Sequence, residues 1–156
     1  MSEQVRQHAL EEDLLREHRE LETLLVQVHE MFHEHRTHRA GGAARLMDAL
    51  DELREHLGMM FALKETDGCL DDAENGSSTS SENFCALRAE HAALFTDLSR
   101  LIDQCDLDVA RGRWAQSWRL AEMTFENFCE QFHDHETGEM QRAEQLFYRQ
   151  ESRSGR

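Results

Sequence analysis

The chain has 156 residues, 32 of them acidic and 17 basic, and carries a net charge of −15. That length suits one domain with a core of its own, and the charge argues against nucleic acid or an anionic membrane surface as a partner. No apolar run approaches the roughly 20 residues of a membrane span, and the N-terminal MSEQVRQHALEEDLL holds no apolar signal core, so a cytoplasmic location is expected.

Proline is absent, and Ala, Leu, Glu, Gln and Arg are plentiful, a composition that favours helix throughout. Helix 1 is predicted from Glu3 to His38. Its inward stripe, Leu14, His18, Leu21, Leu25, Val28, Phe32, steps alternately by four and three. Off that stripe lie His29, His33, His35 and His38. His29 and His33, four apart, could hold a surface metal, and the plainer reading is a solvated cluster. Arg39 to Gly42 then break the helix.

Helix 2 is predicted from Ala43 to Thr66, with the stripe Leu46, Leu50, Leu53, Leu57, Met60, Lys64. Residues 67–81, DGCLDDAENGSSTSS, read as a polar loop, and Thr79 with Glu82 has the spacing of a capping box that starts helix 3. The helix 3 stripe is Phe84, Leu87, His91, Leu94, Leu98, Leu101, Cys105. A turn at Arg111-Gly112-Arg113 leads into helix 4, whose stripe runs Phe125, Phe128, Phe132, His135, Glu139, Arg142, Leu146. Residues 151–156 are expected to fray. The four cysteines, Cys69, Cys85, Cys105 and Cys129, match neither a zinc pattern nor a secreted disulfide framework. The expected fold is one domain over residues 1–150, an all-α, antiparallel up-down-up-down four-helix bundle.

Polar residues on inward stripes need partners, and an uncompensated buried carboxylate costs several kcal/mol. To within a residue, His18 and Met60 are equidistant from the turn at 39–42. Met60 and His91 are equidistant from the loop at 67–81, and His91 and His135 from the turn at 111–113. An antiparallel bundle therefore sets His18, Met60, His91 and His135 in one layer, with Lys64 and Glu139 one turn, about 5.4 Å, away. His135 and Glu139, four apart, can reach one cation. Three inward histidines at one level, with a carboxylate one turn away, make His18, His91, His135 and Glu139 candidate metal ligands.

These stretches resemble the hemerythrin-like (HHE cation-binding) family: LREHRELETLL around His18, LRAEHAALFTDL around His91, and FENFCEQFHDHETGEM around His135 and Glu139. The likeness covers about residues 10–148 and implies a four-helix bundle with a non-haem di-iron centre. MFALKETDGCL resembles the end of the family's second helix, but Met60 stands where that pattern has a His and Lys64 where it has a bridging carboxylate. The resemblance thus implies a mononuclear or altered site, and a second iron would require Glu65 or His56 to complete the set. A ferritin-like site does not fit, because ExxH occurs only at Glu30/His33 and Glu130/His133, both off the core stripes.

Two functions of different classes are expected. The first is a hemerythrin-like protein binding one or two non-haem irons, with dioxygen, nitric oxide or an oxidant as ligand, in sensing or iron handling. The alternative is a degenerate, metal-free bundle held by a Lys64–Glu139 ion pair and serving as an interaction or regulatory domain. An enzyme ranks third, since nothing in the sequence supplies a nucleophile–base pair or a phosphate-binding loop.

Overall fold

Four long helices carry the chain: α1 (Glu3–His33), α2 (Ala43–Asn75), α3 (Ser78–Ala110) and α4 (Trp114–Ser154), with a 3-10 turn at His35–His38 after the first. The computed structural model describes the backbone of residues 2–39, 41–75 and 78–154, and the side chains of these apart from 35, 67–75, 78–83 and 142–154. No strand occurs among the described residues, and no helix among them is long and apolar enough to cross a membrane.

Side-chain pairs between helices fix their directions. His18 lies against Glu136 while Phe32 lies against Phe125 and Trp114, so α1 and α4 run in opposite senses. Phe61 stacks on His91 and Arg54 reaches Asp103, so α2 and α3 do too. Phe61 near His135 and Lys64 on Glu139 make α2 and α4 parallel across the diagonal. The chain is an all-α, antiparallel up-down-up-down four-helix bundle.

The stripes build the core. Leu50, Leu53, Leu57 and Met60 of α2, Leu98 of α3 and Phe125 of α4 have no solvent exposure, and each such side chain contributes about 1.5–3 kcal/mol relative to an exposed one. On α1 the buried set is Leu21, Leu24, Val28 and Phe32, so Leu24 replaces the expected Leu25. A helix of 3.6 residues per turn drifts against a 3.5-residue repeat. Towards the N-terminus the inward face has therefore turned to Glu17, whose side chain is 18% exposed, against 35% for His18.

The ends of the helices differ from expectation. The α-helical part of helix 1 stops at His33 rather than His38. Trp114, itself buried, donates its indole N–H to the Thr37 carbonyl, and His38 stacks on Trp118 at 3.4 Å while bonding the Phe32 carbonyl at 2.7 Å. These contacts draw the chain across the end of the bundle as a tighter 3-10 turn.

The polar stretch expected as a loop at 67–81 is helical through Asn75 and again from Ser78, ahead of the Thr79–Glu82 spacing. It holds no proline, and extending a helix already formed costs little. With α2 running through Asn75 and α3 starting at Ser78, Phe61 rather than Met60 comes opposite His91. At the far end, α4 continues through Ser154, where a frayed tail from 151 was expected. Arg142 and Leu146, placed on the helix 4 stripe, lie outside the described side chains.

Two glycines are required by geometry. Gly112, at φ 69°, ends α3 in a Schellman motif, with Arg113 N–H donating to Asp108 at 2.8 Å and Gly112 N–H to Val109 at 3.1 Å. A Cβ on Gly42 would fall on the Arg36 carbonyl, whereas one on Gly41 meets nothing within 4 Å. Gly112→Ala is expected to cost about 1 kcal/mol. Gly42→Ala is expected to cost more, since backbone must move, and Gly41→Ala less than about 0.5 kcal/mol. Urea unfolding midpoints of the three variants check that order.

Candidate metal centre

Three of the four helices send polar side chains to one buried point. From α3 comes His91, 2% exposed, and from α4 come His135, 9% exposed, and Glu139 one turn on. Glu139 Oε1 receives both rings: His91 Nε2 donates to it at 3.1 Å, and His135 Nε2 approaches to 2.8 Å without hydrogen-bond alignment. Its other oxygen, Oε2, accepts a hydrogen bond from Lys64 of α2 at 2.5 Å. Lys64 is the only lysine in the chain, and its side chain is 15% exposed.

The rings are held from behind. His135 Nδ1–H donates to Glu90 at 2.8 Å, which leaves Nε2 to face inward. His91 Nδ1 is buried without a hydrogen bond, with a Glu65 oxygen 3.6 Å away. Phe61 stacks flat on His91, with centroids 4.0 Å apart, and presents its edge to His135 at 6.0 Å. The outer side of His135 lines a groove of about 330 Å³ between α3 and α4, with Glu90, Leu94, Asp97 and Gln131.

Charge follows this packing. Burial disfavours ionisation of Glu139, but His135, His91 and Lys64 outweigh it and hold the carboxyl well below the usual carboxylate range. Burial likewise disfavours the charged form of His135, but Glu139 on one side and Glu90 on the other outweigh it and raise its pKa.

The donor set fits a cation. His91, His135 and Glu139 offer donor atoms that all lie within 4.8 Å of one another. A tetrahedral ion at its usual bond lengths places its donors about 3.3 Å apart, and the two nitrogen–oxygen distances here are 3.1 and 2.8 Å. The buried nitrogens without aligned partners, His135 Nε2 and His91 Nδ1, are those that a cation on the Nε2 atoms would satisfy, directly or by moving the His91 proton towards Glu65.

The other candidates lie elsewhere. His18 Nε2 pairs with Glu136 at 2.8 Å and is not among the donors at the central point. His56, off the stripe, hydrogen-bonds Glu17 at 2.6 Å, and that bond raises its pKa. Met60 is core with no exposure. Glu65 stands behind His91 rather than in the donor set. His33 donates Nδ1–H to the His29 carbonyl at 2.9 Å, its ring lies 4.6 Å from the His29 ring, and it groups with Glu122 and Glu126. Sequence reasoning missed Glu90 and Phe61. Each is next to a stripe residue, and no spacing distinguishes the glutamate that turns to His135 from the many on the surface.

Protein-family models, curated proteins and solved structures yield no match to this chain.

Two outcomes are expected of the metal-free protein prepared with a chelator. Lys64→Ala leaves Glu139 short of one partner and should lower stability by about 3 kcal/mol in urea. Because the folded pKa of Glu139 is depressed, its stabilisation is full above the ordinary glutamate range near pH 4.5 and is lost as pH falls through the folded value. Stability measured against pH should therefore fall less steeply on acidification in Glu139→Gln than in the unaltered chain.

Proposed function

We propose that the chain is a hemerythrin-like metal-binding protein with a single non-haem iron held by His91, His135 and Glu139. The observation that carries this reading is the convergence of two buried Nε2 atoms on one carboxylate oxygen, with the far side of His135 fixed by Glu90. Two histidines and one carboxylate suit iron(II) and leave coordination positions open for a small ligand such as dioxygen or nitric oxide. The role this supports is sensing or iron handling.

The chain's own residues do the rest. Glu90 sets the tautomer of His135, and Phe61 keeps water from the His91 face. Lys64, on the second oxygen of Glu139, restricts that carboxylate to one oxygen for the metal and puts positive charge where a second iron would need a bridging ligand. A metal-free regulatory bundle is the second reading, and the observation favouring it is the same Lys64–Glu139 pair, which partly satisfies the carboxylate without a metal.

Elemental analysis of protein purified without a metal-affinity tag separates the two. One iron per chain is expected, lost in His135→Ala and retained in His33→Ala. Equal loss in both variants would move the iron to the histidine-rich end of α1, and two irons with an oxo-bridged absorption band would overturn the mononuclear centre. Protein with no iron, unable to take up iron(II) after anaerobic addition, would leave the metal-free reading.

A further inference from the structure

His18 stands apart from the central point with partners of its own. Its Nε2 lies 2.8 Å from Glu136 Oε1 on α4 and 3.7 Å from Glu22 Oε1 on its own helix. The donor atoms of the three lie within 4.8 Å of one another. Glu136 Oε1 is shut off from solvent yet makes no aligned hydrogen bond. Among the described residues, neither glutamate pairs with a lysine or arginine.

The geometry points to a second cation site, separate from the first, in which His18 Nε2, Glu22 and Glu136 hold a zinc-sized divalent ion across the seam between α1 and α4. The two nitrogen–oxygen distances, 2.8 and 3.7 Å, straddle the separation of about 3.3 Å between donors of a tetrahedral ion. Two carboxylates held this close repel each other, and a divalent cation between them turns that cost into attraction. Glu22 follows His18 by one turn, so both project from the same face of α1. The seam also has a use for such a link, because among the described residues α1 packs on α4 less extensively than α2 packs on α1 or α3, or α3 on α4. No residue is shared with His91, His135 and Glu139, so the site needs nothing from the central one.

A protonated His18 could also hold both carboxylates, and zinc distinguishes the two cases. The probe is zinc alone, added to the chelator-treated full chain, with bound zinc counted after gel filtration and Tm read with and without the metal. Two zinc ions per chain are expected in the unaltered protein, one in His91→Ala, one in His18→Ala and none in the double variant. His18 and Glu22 are open enough to solvent that changing them spares the fold, so Glu22→Gln serves where His91→Ala does not fold. It should bring the count in the unaltered chain from two to one and reduce the rise of Tm that zinc produces. If neither His18→Ala nor Glu22→Gln changes the zinc count, the seam site is overturned, whatever the central residues bind. If zinc is lost with His18→Ala but untouched by His91→Ala, the seam site stands and the central centre falls.

Discussion

A carboxylate placed inside a helical bundle must find positive charge or hydrogen-bond donors there, and Glu139 finds them on three helices at once. Its two oxygens divide the work: one faces the rings of His91 and His135, the other the ammonium of Lys64. Helices α2, α3 and α4 are thereby pinned at a common height, which apolar stripes alone would leave free to slide by a turn. Removing any one partner leaves a buried ionised group short of compensation, which costs more than the complete set gains over an apolar replacement. The position of the chain's one lysine is thus a structural constraint as much as a chemical one.

The same chemistry recurs at the seams in weaker form. Glu17 takes His56 between α1 and α2, Glu136 takes His18 between α1 and α4, and Glu90 takes His135 between α3 and α4. In a chain with 32 acidic residues and 17 basic ones, histidine carries these three contacts, beside the one that Lys64 makes at the centre. An imidazole has two nitrogens on opposite sides of a rigid ring, so it can bond a carboxylate at the surface with one and face the interior with the other. His135 does this, with Glu90 outside and Glu139 inside.

Much of this was legible in the sequence, and the failures share a cause. The alternating four-three stripes give four helices and their order, because apolar periodicity reports burial directly. Symmetry about the turns also brings His91 and His135 to one level. The placement of Met60 opposite His91 was off by one residue because the polar stretch 67–75 is helical, and lengthening two antiparallel helices into their connection shifts the pairing to Phe61. His18 lies half-buried at the α1–α4 seam rather than at the central point because a 3.5-residue repeat drifts against the helix, which turns Glu17 further inward. The end of α1 was missed because it is set by Trp114 and Trp118, some 80 positions further on, and local pattern contains no trace of such contacts.

Charge at the central point bears on how many ions it can hold. Glu139, Glu90 and Glu65 bring three negative charges around the two rings, and Lys64 returns one. One divalent ion on neutral histidines completes neutrality; a second would leave two positive charges in a place screened by Phe61 and the packed helices. Metal ligation needs ring nitrogens free of protons, so a cation and protons compete for them. A lysine where a bridging carboxylate would stand, on the proposed reading, moves the local balance by two charges, the amount one divalent ion carries. On the proposed reading, that substitution does not abolish the metal centre. It changes the charge the centre needs from two ions to one.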